Sequence, residues 1–305
     1  MENLELAIAQ IKKELPGLRL LENEPLSEHC SFRIGGPARA LAVPGDVSSL
    51  TKICCILKEH KLAPLMLGNG TNLLFPDEGL SEVFLISTEK LTKIFLLPDG
   101  AIYAEAGVSL SRLASFAQKN GLAGLEFASG IPGTLGGGCR MNAGAYGGEL
   151  KDVIQSVVCY YLPEQALYEL SAEQCDFAYR SSRFARIGGF VVISAVLRLP
   201  QGDPEEIAAR MRELNEKRRE KQPLDLPSAG SAFKRPEGYY AAALINEVGL
   251  KGYTVGGAQV STKHAGFIVN IGSATAEDVR RLVAHIEQVI FENYGIHIER
   301  ELIYF

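Results

Sequence analysis

A chain of 305 residues is long for one hydrophobic core and calls for two or three domains. With 47% hydrophobic and 22% charged residues it has the balance of a soluble globular protein. A net charge of -5 offers no global field for nucleic acid, and no apolar run reaches the length of a membrane span, so neither partner is expected.

The chain opens on "MENLELAIAQIKKELPG", where Leu4, Ile8, Ile11 and Leu15 recur at helical spacing with charges between them. That pattern is not a secretory leader, and a cytoplasmic location is expected. "RALAVP" reads as a strand. "DVSSLTKICCILKEHK" follows as a helix with Asp46 as cap and an apolar stripe at Val47, Leu50, Cys54 and Leu57. "APLMLG" and "EVFLIST" read as strands. "TKIFLLPDGAIYAEA" reads as a hairpin turning at Pro98-Asp99-Gly100. "SLSRLASFAQKNG" is a helix closing on Gly121. A second hairpin, "SVVCYYLPEQALYEL", turns near Pro163, and "GGFVVISAVLRL" is a further strand. Two helices complete the pattern. One starts at Asp203-Pro204, and the other runs from a capping-box pair, Thr275 and Asp278, to Gly295. In the terminal "GIHIEREL", Ile296 and Ile298 face one way and His297, Glu299 and Glu301 the other, as in a strand. Hairpins among helices define an α+β class with mixed sheets, with boundaries expected near residues 90 and 200. The six cysteines form no C-x-x-C pair and read as buried free thiols, with no metal site.

Two glycine-rich stretches carry the first chemical signal. In "LMLGNGTNLL" a strand ends in Gly68-Asn69-Gly70-Thr71-Asn72. Such a loop makes either a tight turn or a cradle of inward N–H groups for a pyrophosphate. It is not the Rossmann fingerprint, because Leu73 stands at the third glycine position. The longer "FASGIPGTLGGGCRMNAGAYGGE", residues 127–149, leaves bare main chain at Gly136-Gly137-Gly138. It reads as a resting place for a flat or charged ligand, or as a structural crossover. Two such loops could hold the two parts of one long dinucleotide.

Eight blocks, "SFRIGGPA", "LGNGTNLL", "GLEFASGIPGTLGGG", "MNAGAYGGE", "YRSSRF", "KQPLDLPSAGSAFKRP", "GLKGYTVGGAQVSTKHAGFIVN" and "GIHIERELIYF", are similar in kind and order to those of the UDP-N-acetylenolpyruvoylglucosamine reductases. These are flavoenzymes of peptidoglycan precursor synthesis, and the compact "VSTKHAGFIVN" resembles the shorter of their two architectural types. The resemblance implies a two-subdomain FAD-binding fold of the vanillyl-alcohol-oxidase type plus a C-terminal α+β substrate domain. The subdomains would span 1–90 and 91–200, with the substrate domain at 201–305. It implies non-covalent FAD held by the two subdomains, NADPH as reductant, and reduction of UDP-N-acetylglucosamine enolpyruvate to UDP-N-acetylmuramate. Cofactor contacts would come from Gly68, Asn69, Gly70, Thr71 and Asn72, then from Gly130, Ile131, Pro132, Gly133, Gly137 and Gly138. Asn142, Ala143, Gly144 and Arg218 would add to them. Tyr179, Lys221, Arg235 and Lys263 would meet the substrate. The chain departs from the family at Arg235, where asparagine is common, and at Gly138-Cys139-Arg140, which replaces an apolar stretch.

The resemblance also assigns Arg180, Ser231 and Glu301 to the chemistry. Hydride added to the β-carbon of an unsaturated carboxylate leaves negative charge on the α-carbon and carboxylate. Arg180 would bind that carboxylate, Ser231 would give the α-carbon its proton, and Glu301 would polarise or protonate alongside. Without the resemblance, Ser231 reads as a turn residue, because Ala229 and Phe233 break the nucleophile-elbow pattern. Arg180 then reads as a surface arginine and Glu301 as a solvent-facing one.

Overall fold

A computed structural model describes residues 2–305. The first third runs α1 (Glu2–Glu14), β1 (Arg19–Pro25), β2 (Pro37–Val43), α2 (Val47–Glu59), β3 (Pro64–Leu67), β4 (Leu73–Leu74) and β5 (Leu80–Ser87). Next come β6 (Ile94–Leu96), β7 (Ile102–Glu105), α3 (Leu110–Lys119), α4 (Leu135–Met141), β8 (Gly144–Ala145) and β9 (Gly148–Glu149). They lead into β10 (Ile154–Tyr161), β11 (Ala166–Ser171), α5 (Arg183–Arg186) and β12 (Phe190–Leu197). The last third holds α6 (Pro204–Lys221), β13 (Ser228–Ser231), α7 (Ala241–Glu247), β14 (Thr254–Val255) and β15 (Ala258–Val260). It ends with β16 (Phe267–Asn270), α8 (Ala276–Tyr294) and β17 (Ile303–Tyr304). The α+β class with hairpins is therefore observed. The chain divides into two compact units. One is formed by Met1–Asn23, Arg39–Asn69 and Ser81–Glu216, the other by Glu24–Ala38, Gly70–Leu80 and Lys217–Phe305.

In the first unit, a sheet of order β1-β2-β5-β3 carries a parallel β3–β5 pair. A second sheet, β11-β10-β12-β7-β6, is antiparallel throughout. Its central strands are apolar on both faces for a reason. Val191 and Ile193 of β12 and Tyr160 of β10 join the cluster under α1 and α2. Val192, Ala195, Val157 and Cys159 point the other way, into the cluster with α3 and α4. A strand covered on both sides loses its polar alternation, which is why "FVVISAVL" is continuous.

The second unit is built on β13-β16-β15-β14, with β17 pairing β4 in parallel. Helix α8 starts where the sequence places it. The Thr275 hydroxyl accepts the Asp278 N–H at 3.0 Å, and Gly295 closes the helix in the left-handed region. Asp77 adds a second cap, accepting the Ala276 N–H at 2.9 Å.

Two segments differ from expectation. The Gly136-Gly137-Gly138 run is helical, not open loop. Glycine is a poor helix former, but Thr134 caps α4 and accepts the Gly137 N–H at 3.4 Å. The Leu135 and Gly136 N–H groups then donate to the Val108 and Ala106 carbonyls, both at 2.8 Å. The segment from Ile296 to Arg300 keeps the alternation, with Ile298 buried and His297 and Glu299 exposed, but forms one bridge, Phe233 to Arg300. Regular strand is limited to Ile303–Tyr304.

Gly107 sits where α4 meets the sheet. A Cβ there would lie 1.9 Å from the Thr88 carbonyl oxygen and 2.8 Å from that of Leu91. Both are backbone and cannot swing away. Gly107→Ala is expected to destabilise the fold by about 3 kcal/mol, the upper range for overpacking. Chemical denaturation of the purified variant checks this.

Candidate functional site

In the first unit, the two glycine-rich stretches lie together. The Asn69 side-chain amide donates to the Pro132 carbonyl at 2.8 Å, and a Cβ on Gly68 would meet the Thr134 hydroxyl oxygen at 2.6 Å. The glycines of 130–138 serve two purposes. Gly136 and Gly138 face the protein, where added Cβ atoms would lie 2.9 Å from the Ala106 Cβ and 2.7 Å from the Leu150 Cδ1. Gly137 is exposed, with only the Thr134 hydroxyl within 4 Å, at 3.6 Å. Gly68, Gly130 and Gly133 are half-exposed, and Pro132 is exposed, while Ile131 packs on the core. The outcome is a surface of bare main chain backed by a hydroxyl and an amide. Its donor chemistry fits a diphosphate or a flat ring. Cys139 beneath it is fully buried, and burial pushes its thiol pKa up, so it packs as an apolar residue.

Past α4, Asn142 and Ala143 are buried, and Gly144 opens the β8–β9 hairpin. A Cβ on Gly144 would meet the Gly148 carbonyl oxygen at 2.6 Å, so the hairpin itself requires that glycine. Arg180 lies in the same neighbourhood. Its Nη2 donates to the Gly144 carbonyl at 3.0 Å, and its guanidinium lies 5.1 Å from the Tyr179 ring centroid. It sits in a tight turn where Ala178 and Ser181 pair, with φ of +50°. Left-handed backbone at an arginine is uncommon and holds only where the surroundings fix it.

In the second unit, Gly70 has φ of +59°, and a Cβ would lie 2.2 Å from the His29 carbonyl oxygen. A turn accounts for that glycine. Thr71 and Asn72 follow it half-exposed, and the Asn72 carbonyl accepts the Ile303 N–H at 2.9 Å. Ser231 ends β13 in the same unit. Gly230 before it has φ of +76°, and a Cβ added there would find only the Thr71 carbonyl oxygen within reach, at 4.0 Å. The Glu301 N–H donates to the Ala232 carbonyl at 2.9 Å and the Lys234 N–H to Glu299 at 2.8 Å. The main chains carrying Ser231 and Glu301 therefore run side by side. The Ser231 hydroxyl donates to the Phe233 carbonyl at 3.0 Å. Arg235 stacks on the exposed Tyr240 ring at 4.4 Å from its centroid. Arg218 and Lys221 lie in the basic last turn of α6, and the Lys263 Nζ donates to the Arg219 carbonyl there at 2.5 Å. A cavity of about 580 Å³ in this unit is lined by Glu287, His297, Glu299, Arg300 and Tyr304 with Ile298 and Leu302, and includes no residue expected from the sequence.

The structure gives three side chains near these positions a part that the sequence did not signal. Thr134 looks like any loop threonine until α4 is seen. Asn142 was expected only at the cofactor. His264 is half-buried, and its Nδ1 accepts the Gly266 N–H at 3.1 Å.

Comparison with known proteins fits this arrangement. Residues 38–162 match an FAD binding domain, and residues 222–305 match the C-terminal domain of UDP-N-acetylenolpyruvoylglucosamine reductase. A fold that pairs these two domains defines the chain as a flavin-dependent oxidoreductase. It combines an FAD-binding domain with a C-terminal α+β domain. The UDP-N-acetylenolpyruvoylglucosamine reductase of Caldanaerobacter subterraneus subsp. tengcongensis is 46% identical, covering 98% of this chain and 97% of its own. That of Limosilactobacillus reuteri is 44% identical, covering 97% and 98%. The crystal structure of the Thermus caldophilus reductase superposes with a TM-score of 0.79 at 33% identity, covering 94% of this chain and 98% of that one. The chain belongs to the UDP-N-acetylenolpyruvoylglucosamine reductase family.

Burial, then Lys251 and Lys221, hold the His264 pKa below its ordinary 6.5. The folded protein keeps the ring neutral where the unfolded chain takes up a proton, so this contribution is present above pH 6.5 and lost as pH falls further. Thermal midpoints between pH 7.5 and about 5.5 are expected to drop more in the wild type than in His264→Gln. Parallel curves would refute the assignment.

Proposed function

We propose that this protein is the NADPH-dependent reductase that converts UDP-N-acetylglucosamine enolpyruvate to UDP-N-acetylmuramate in peptidoglycan precursor synthesis, acting in the cytoplasm. The pairing of 232–234 with 299–301 carries this reading, since it sets the main chain after Ser231 beside the extended segment that bears Glu301, in a chain that belongs to the family along its length. The divisions at 90 and 200 are proposed as two FAD-binding subdomains and a substrate domain. Each third having its own principal sheet supports them. No helix is long and apolar enough to cross a membrane among the described residues.

The bare main chain of Gly68, Asn69, Gly130, Ile131, Pro132, Gly133, Gly137 and Gly138 would hold the non-covalent FAD, with Gly70, Thr71, Asn72, Ala143, Gly144 and Arg218 contributing. FAD bound there would supply the redox chemistry, the hydride of NADPH passing by way of it to the enolpyruvyl β-carbon. Charge then gathers on the substrate's carboxylate, and Arg180 stabilises it there with a planar fork that lysine cannot reproduce. Ser231 delivers the proton to the α-carbon. An alcohol is a weak acid toward water but adequate toward a carbanion-like centre. Its proton now goes to the Phe233 carbonyl, so donation requires the O–H to turn away from that bond. Glu301 polarises alongside. Lys221, Lys263, Arg235 and Tyr179 meet the nucleotide part of the substrate.

Anaerobic titration tests the reading in two steps. NADPH bleaches the flavin, and the enolpyruvyl nucleotide restores its colour. A protein that takes up no FAD refutes it, and one reoxidised only by oxygen is an oxidase. Ser231→Ala is expected to leave bleaching nearly unchanged and slow substrate reoxidation by about a hundredfold or more. Equal loss in both steps would overturn the role of Ser231.

A further inference from the structure

We infer that Asn142 is a positioning residue for Arg180, a role that rests on the carboxylate-binding reading of that arginine. Asn142 is fully buried at the C-terminus of α4, with φ of +46°. Glycine would hold that backbone at lower cost, so the asparagine is kept for its amide. The amide is committed to the protein. Its Nδ2 donates to the Ala178 carbonyl at 3.0 Å and to the Glu149 carboxylate at 3.1 Å, and its Oδ1 accepts the Lys151 N–H at 3.0 Å. Both donor hydrogens are used, which leaves no side-chain N–H for a cofactor.

The partners explain the function. Ala178 opens the turn in which Arg180 takes its left-handed conformation, closing on Ser181 through N–H···O bonds of 2.9 and 3.2 Å. Gly144, whose carbonyl receives the Arg180 guanidinium, lies two residues beyond Asn142. One buried amide therefore fixes both the main chain that carries the arginine and the loop that holds its head. A neighbouring seam reinforces it, since the buried Ser182 hydroxyl donates to the Arg140 carbonyl at 2.7 Å and Arg140 donates to that of Phe184 at 2.6 Å.

Asn142→Gly keeps the left-handed backbone and deletes only the amide. It is expected to slow flavin reoxidation by the enolpyruvyl nucleotide by ~10–100-fold, as misplaced catalytic groups do, and to leave reduction by NADPH within about twofold. In an Arg180→Ala background the same change is expected to cost under about twofold, because the residue it positions is gone. Full additivity of the two losses, equal slowing of both half-reactions, or no effect overturns the inference. Should Arg180→Ala alone leave reoxidation intact, the carboxylate reading fails instead. Asn142→Asp covers the case in which the glycine variant does not retain flavin. It keeps the Lys151 bond but turns a donor into an anion beside Glu149, so its reoxidation defect is expected to shrink as pH falls and the new carboxyl is protonated. A defect independent of pH counts against the inference.

Discussion

The functional surface of the first unit depends on main chain packed directly against main chain. Helix α4 begins by donating its N–H groups to the carbonyls of Ala106 and Val108, just past β7. That approach depends on Gly136, where a Cβ would lie 2.9 Å from the Ala106 Cβ, while Gly107 between the two carbonyls lets the same stretch lie against the Thr88 and Leu91 main chain. Once α4 is seated, its outer glycine Gly137 is left exposed, its C-terminus presents Asn142, and Asn142 holds the turn of Arg180. The glycine-rich sequence is therefore a packing solution first. Its exposed part is the remainder that a ligand can use.

Much of this was legible in the sequence, and the part that was not has a physical cause. Helices α2, α3, α6 and α8 announced themselves through caps and apolar stripes, α1 through its stripe, and both hairpins through their turn residues, because those signals are local. Helix α4 was invisible since three consecutive glycines argue against a helix, and only contacts from β7 and Thr134 reverse that preference. Asn142 was placed at the cofactor by resemblance. Its hydrogen-bond partners come from two separate segments, Glu149 and Lys151 in one and Ala178 in the other, and no spacing in the chain reveals such a convergence. The terminal segment kept its alternation without becoming a strand, because burial alternates wherever an extended chain lies on a core, whereas a ladder needs a partner along its length.

Charge follows the same logic of local arrangement. The chain is acidic overall, yet a diphosphate-bearing substrate needs cations where it binds. Helix α6 ends in Arg218, Arg219 and Lys221, which complement the negative end of its own dipole. Lys263 bonds to the Arg219 carbonyl in that same turn, so part of its charge serves the helix before any ligand arrives. His264, close to Lys221 and Lys251, is kept neutral by burial and by those two cations. A second full charge at that position would compete with Lys221 for any anion and repel it when none is present. A neutral imidazole adds no competing charge beside Lys221, and a net charge of -5 is compatible with a basic surface only a few residues wide.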